Sequence, residues 1–497
     1  WALDIMEVDA IAMMPDLQAL SRSGEAAFDI ALQDASTLQV TEVVRRVPNK
    51  RLVCRGVWHH QPVYAKLYIG RDAKRYAARD RQGIDVLVDA HIVTPALIYA
   101  GSAADDSAQV LIFQSIEHSE NAEVAYLDNA DLATRFELAS KIVSAVARHH
   151  NSNLLQTDLY LKNFLIKDGL IYTLDGDGMR KYTRLSRHPA LKNLSVLLSK
   201  FNVIDVESWL PSLLKVYAEN RGWQAVPDVA SMKKLVNLHR KKVANNYADK
   251  KVFRTCTDVQ VRRQDHSFLA ISRKFFLPNL PKTPQDCDSL IDSQLRIKSG
   301  NTCTVALAKI DGLDVVIKRY NIKGFWHGAN RALRQTRAAR SWANAHRLML
   351  LGIATAAPVA LIESRSFGLK GGAYFLSEYI EAPDAAEFFL KTTDNALQAK
   401  AVANIANLFY QLHLLQISHG DMKASNIKIV NGAPLLIDLD GMQQHQFNWA
   451  ASRAHARDLK RFMKNWQAMP ALYNAFVSAF KVLYTDHQVL RLARIVQ

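Results

Sequence analysis

Apolar positions along the chain fall into two textures, and the pair occurs twice. From Val43 the runs VVRRV, RLVCRGVW and PVYAKLYI mix β-branched and aromatic residues with polar ones between short turns, which predicts strands. A basic helix is expected from Asp72, then a strand pair closing on residues 110–117. Phe136, Ala139, Ile142, Val143 and Val146 then follow at the 3/4 spacing of an amphipathic helix. More helix is expected over residues 191–246. The order then returns: a hairpin over residues 295–308, a strand at 315–318, a helix at 341–351 and a strand at 375–381. A second amphipathic helix carries Val402, Ile405, Leu408, Phe409, Leu412 and Leu415 on one face. Around Ile11 to Leu20 the periodicity is helical, and residues 277–284 hold three prolines, Pro278, Pro281 and Pro284, the best linker signal in the chain. The expected organisation is a helical extension over 1–40, a first domain over 41–250, a linker over 251–288 and a second domain over 289–497.

Each expected domain carries the same polar set. After the second amphipathic helix comes His419-Gly420-Asp421, with Asn426 five residues beyond Asp421 and Asp438 seventeen beyond it. In the first domain Asp158, Asn163 and Asp175 repeat both spacings, so the chain contains a long internal repeat. A lone Asp-x4-Asn is common by chance and reads as a hairpin with solvated acids. The His-Gly-Asp lead and an apolar strand running into Asp438-Leu439-Asp440 weigh against that reading. Two carboxylates and an amide so spaced suit one acid that orients a hydroxyl and an acid–amide pair that holds Mg2+. Lys66 and Lys318 each end an apolar strand run, Val63-Tyr64-Ala65-Lys66 and Val315-Val316-Ile317-Lys318. A single strand lysine is usually an edge charge; its recurrence before the same acids argues for a partner.

Composition is ordinary, with 49% hydrophobic and 22% charged residues over 497 positions. The apolar run at residues 348–362 is too interrupted to span a bilayer. Trp1 stands where Met is expected, which points to a start further upstream. Cys54, Cys256, Cys287 and Cys303 lie far apart without metal-ligand spacing and fit a reducing compartment. A net charge of +16 asks for an anionic partner. The basic clusters at residues 71–81, 233–251, 262–274 and 331–340 carry neither the interleaved aromatics of a single-strand binder nor a finger or helix-turn-helix signature, so nucleic acid is not expected. An acidic ligand or an anionic membrane face is.

On these residues the chain resembles two protein-kinase-like domains in tandem, an α+β fold with a β-rich amino-terminal lobe and a helical carboxy-terminal lobe in each. The flavour is similar to the bacterial lipopolysaccharide core (Kdo and heptose) kinase family. The carriers are Asp158 to Leu165 and Ile92-Val93-Thr94-Pro95 in the first copy. In the second they are Arg340-Ser341-Trp342, Gly352-Ile353-Ala354-Thr355, His419-Gly420-Asp421 and Arg457-Asp458-Leu459. The resemblance implies ATP- and Mg2+-dependent phosphorylation of inner-core sugars by a cytoplasmic protein peripheral to the inner membrane. It implies Asp158 and Asp421 as the bases, and Asn163, Asp175, Asn426 and Asp438 as metal ligands. Lys66 and Lys318 are implied as phosphate contacts, and Glu378 as a nucleotide contact on the hinge strand. Kinases pair the strand lysine with a helix Glu; counting back seven from Ile92 and Ile353 gives Asp85 and His346. His346 cannot form that pair, which leaves Lys318 to Glu363 or Asp440. The first copy has Gln156 where the second has His419. Two other readings stand beside this one: a copy that is a pseudokinase scaffold for substrate or partner, and a small-molecule kinase of the aminoglycoside or choline type.

Overall fold

The computed structural model describes residues 16–22, 27–264, 266–275, 277–293, 295–299, 303–320, 335–366 and 369–496. Gly300 and Asn301 of the expected hairpin turn, residues 1–15 of the expected extension and basic residues 331–334 lie outside these. The chain separates into two units, one drawn from Trp1–Phe201 and Ser208–Val236, the other from Asn202–Glu207 and Asn237–Gln497. Both mix sheet and helix.

The first unit begins with an antiparallel sheet of β1 (Phe28–Ala31), β2 (Thr37–Val47), β3 (Arg51–Trp58), β4 (Gln61–Ile69), β5 (Leu97–Ser102) and β6 (Ala108–Gln114), in the order β1-β2-β3-β4-β6-β5. Alternation along β4 sends Val63, Ala65 and Leu67 into one apolar layer with Leu52, Val110 and Ile112. Tyr68 goes to the other face, where Ala73, Ala77, Ile84 and Leu87 of the Ala73–Asp89 helix cover it. Lys66, two positions from Tyr68, therefore faces the helix. The Leu132–Asn151 helix starts where the Asp131 carboxylate caps the N–H of Thr134. It leads through Leu154–Gln156 to a loop and the Phe164–Lys167/Leu170–Thr173 hairpin.

In the second unit the sheet is built of β7 (Val259–Gln264), β8 (Ser267–Ser272), β9 (Leu295–Ser299), β10 (Cys303–Ile310), β11 (Leu313–Tyr320), β12 (Pro358–Ser366) and β13 (Leu369–Glu378), ordered β7-β8-β12-β13-β11-β10-β9. Its last five strands repeat the order β5-β6-β4-β3-β2 of the first sheet. Ile317 points into the layer with Val315, Ile362 and Leu376, while Tyr320 and Phe375 face the Arg337–Leu350 helix, whose Trp342 is fully buried. The Asn395–Leu414 helix buries Val402, Ile405, Leu408, Phe409 and Leu412, the face expected from their spacing.

Three boundaries differ from expectation, the first being the end of the first unit, since residues 237–250 group with the second. Residues 251–288 are not a linker: β7 and β8 extend the second sheet, and Cys287 and Ile291 of the Pro284–Ser293 helix pack on it with Leu280. The prolines mark the entry to that helix, with Pro284 at its first position. Thr283 Oγ1 accepts the N–H of Asp286, and the Asp286 carboxylate accepts that of Thr283. Nor are residues 27–40 a helical extension, since β1 and the start of β2 pair there antiparallel.

Candidate active site

The two loops have the same backbone frame. In the second unit the Asn426 amide donates to the Asp421 carbonyl at 2.8 Å, and Ile437 N–H donates to the Asn426 carbonyl at 3.0 Å. In the first, Asn163 donates to the Asp158 carbonyl at 2.7 Å and Leu174 N–H to the Asn163 carbonyl at 2.8 Å. The last acid of each set, Asp438 (φ 63°) or Asp175 (φ 70°), lies in the left-handed region. Asp tolerates that region better than most residues, yet it still costs about 1 kcal/mol or more, so the surroundings must hold it there.

The residue before each loop braces it. His419 Nε2 meets the Ile437 carbonyl at 3.0 Å, and Gln156 Nε2 donates to the Leu174 carbonyl at 3.1 Å. Gln156 thus reproduces the contact of His419. Behind the second loop, the buried Asp458 carboxylate accepts the N–H groups of His419 at 2.6 Å and Gly420 at 3.0 Å. Burial pushes Asp458 up despite those two donors. At the matching place Asn193 donates to the Gln156 carbonyl and meets His150 Nε2.

The strand lysines reach these acids, but their partners differ from expectation. Lys66 Nζ donates to Asp80 Oδ2 at 2.6 Å and to Asp175 Oδ1 at 3.0 Å. Asp80 is fully buried and also accepts the Tyr68 hydroxyl and the N–H of Asp177. Asp85, the expected partner, is exposed and lies 4.0 Å from Arg81. Helix geometry explains the difference. Ala73, Ala77, Asp80, Ile84 and Leu87 form the buried stripe, and Asp85 is off it.

In the second unit the stripe position holds Ser341, whose Oγ meets the Tyr320 hydroxyl at 2.8 Å. Lys318 instead pairs with Asp438 and, at 3.7 Å, with Asp440, which Arg337 also binds. The first-unit counterpart of Asp440, Asp177, pairs with Arg79. Glu363 accepts the Thr336 hydroxyl, and His346 stacks edge-on against Trp342 in the core. Burial works against charge in both lysine–acid sets, yet ion pairing prevails. It raises Lys66 and Lys318 and holds Asp175 and Asp438 below the ordinary carboxylate value. Arg51 and Arg45 add to the field that lowers Asp175.

A cavity of about 630 Å³ in the second unit gathers Lys318, Asn426, Asp438 and Glu378. Val305, Leu307, Phe375 and Ile437 supply apolar walls suited to a flat ring. The N–H groups of Glu378 and Tyr379 are spent on Ala357 and Asp314 carbonyls. Among the described residues no three His, Cys, Asp or Glu side chains gather as a metal cluster. Asn426 and Asp438 nonetheless fit magnesium, which typically takes one or two protein oxygens and completes its shell with phosphates and water. Asp421 lies beside this cavity: Lys423, which lines it, is 3.6 Å from Asp421 Oδ2, and Arg461 pairs with the other carboxylate oxygen. Asp80, Arg337 and Arg461 were missed from sequence. Only Asp80 had a signal, an acid inside an apolar stripe.

A lysine-anchored acid, an amide and a second acid beside one cavity are groups of the kind that phosphoryl transfer requires. Residues 293–490 match the model of the Lipopolysaccharide kinase (Kdo/WaaP) family. Members of this family are kinases. No curated protein matches the chain.

Proposed function

We propose that the chain transfers the γ-phosphoryl group of ATP to a sugar hydroxyl of the lipopolysaccharide inner core, a heptose or a Kdo. The observation that carries this reading is the meeting of Lys318, Asn426 and Asp438 in one cavity beside Asp421, inside the family span. Lys318 neutralises phosphate oxygens, and Asn426 and Asp438 hold the metal. Asp421 orients the acceptor hydroxyl and takes its proton as the new O–P bond forms. Magnesium, when bound, shields the phosphate oxygens from the incoming nucleophile. The first unit we read as a second kinase-like domain in tandem, with Asp158, Asn163, Asp175 and Lys66 in the same roles. The shared strand order and loop bonds support this. Asn193, a neutral amide where the second unit has the buried acid Asp458, favours a second reading of that unit, as a scaffold that docks substrate or partner.

Among the described residues no helix is long and apolar enough to cross a membrane. Phe447 and Trp449 are exposed at 64% and 63% beside Arg453, an aromatic and basic pairing that supports contact with an anionic membrane face. The test is phosphate transfer from γ-labelled ATP to purified inner-core glycolipid by the full chain. Asp421→Asn should lower transfer by at least about a hundredfold, and Asp158→Asn should remove the share contributed by the first unit. Full transfer by the double variant overturns the assignment, and transfer to aminoglycosides or choline alone moves the acceptor to soluble small molecules.

A further inference from the structure

A second hollow in the second unit, of about 590 Å³, has Gly420 in its wall, one residue from Asp421. Four cations line it: Arg457, Lys460, Arg461 and Lys464. Their spacing of three, one and three residues puts them on one face at the end of the Asn448–Met463 helix. All four are exposed. The one acid in the lining, Asp458, is buried and committed to the N–H groups of His419 and Gly420. The lining therefore presents positive charge with no uncommitted carboxylate of its own, and Asp421, outside it, competes only for Arg461. Arg461 belongs to the hollow and also pairs with Asp421. An acid held by a guanidinium is poorly placed to receive a hydroxyl.

We propose that this hollow is an oxyanion subsite for the acceptor. It takes a phosphate or carboxylate carried by the sugar near the hydroxyl to be phosphorylated, and its filling draws Arg461 off Asp421. This rests on the phosphotransferase reading. In the step so primed, the acceptor oxygen bonds to the γ-phosphorus as its proton passes to Asp421. The bond from that phosphorus to the β,γ-bridging oxygen breaks, and ADP carries away the electron pair. Without acceptor, the Arg461–Asp421 pair keeps water from using the same base. Four adjacent cations match an oxyanion through charge-assisted hydrogen bonds, the strongest a surface offers.

The experiment titrates deacylated inner-core oligosaccharide, with its phosphates and carboxylates intact and no lipid present, into the nucleotide-free full chain. Arg457→Gln/Lys460→Gln/Lys464→Gln should weaken its binding by at least about tenfold, with ATP–Mg affinity unchanged as proof of an intact fold. Arg461→Gln should raise acceptor-independent ATP hydrolysis, and Arg461→Lys should restore the suppression in part. Three outcomes overturn the inference: no binding of the oligosaccharide by the unaltered chain, binding by the triple variant within twofold of it, or a loss seen only on anionic vesicles, which would assign the cations to lipid headgroups. Intact binding without any phosphate transfer would instead count against the kinase reading.

Discussion

Replacing Asp80 by Asn separates the residue that anchors Lys66 from the one its sequence position suggests. Asp80 is fully buried and accepts from Lys66 Nζ, the Tyr68 hydroxyl and Asp177 N–H. Asn keeps the shape but turns one acceptor into a donor that faces other donors and removes the charge opposite a buried ammonium. Breaking a buried ion pair costs about 3–5 kcal/mol. Asp175 remains 3.0 Å from Lys66 and offsets part of that, which leaves about 2–4 kcal/mol. For a unit of this size the melting transition should fall by about 5–15 °C. Differential scanning calorimetry of the full chain should show the transition of the first unit move while that of the second stays. Asp85→Asn loses only an exposed 4.0 Å pair with Arg81 and should cost no more than about 0.5 kcal/mol. If Asp85→Asn matched or exceeded Asp80→Asn, or if Asp80→Asn left both transitions in place, the buried anchor would be wrong.

Gly83→Ala, normally worth about 1 kcal/mol in favour of a helix, should instead destabilise the first unit by about 2–4 kcal/mol in urea unfolding, because its Cβ would lie 1.9 Å from the Gly176 carbonyl oxygen. Asp458→Ala strands the N–H groups of His419 and Gly420 and should cost the second unit about 2–4 kcal/mol, with a matching loss of transfer rate; unchanged melting and rate would refute the brace. Burial lowers His346 to about 4, so the folded state holds it neutral. Its contribution is complete above the unfolded value of about 6.5 and is lost as pH falls towards 4, at most about 3 kcal/mol; His346→Leu should flatten that part of the stability–pH curve of the second unit, and an unchanged slope would exclude this histidine as its source.

Much of the site was legible because spacing along a chain is preserved by a tight loop and hairpin. Asp421, Asn426 and Asp438, like Asp158, Asn163 and Asp175, are joined by short backbone bonds, so their separation in sequence carries over to space. Lys66 and Lys318 were legible through strand alternation, which fixes the face but not the partner. The partner came from another element, and counting along the helix from a distant motif selected Asp85 over Asp80. The apolar stripe Ala73, Ala77, Ile84 and Leu87 would have selected Asp80. Proline breaks helix interiors, so residues 277–284 look like a linker from sequence alone. The Thr283…Asp286 cap makes Pro284 a helix start, and of the two strands before it β7 pairs with its neighbour β8, while β8 finds β12 far along the chain, where local pattern is silent.

Lys318 draws both its carboxylates from a single turn of chain, Asp438 to Asp440, whereas Lys66 is strung between that kind of turn and a helix. A displacement of the Ala73–Asp89 helix would therefore be felt at once by one ammonium, while sliding of the Arg337–Leu350 helix reaches the other through the acids' own turn, which Arg337 grips at Asp440 and Asn344 grips at the Leu439 carbonyl. Two lysines at the same post thus differ in what can loosen their grip: the first answers to a moving neighbour, the second chiefly to the loop that would also hold the metal.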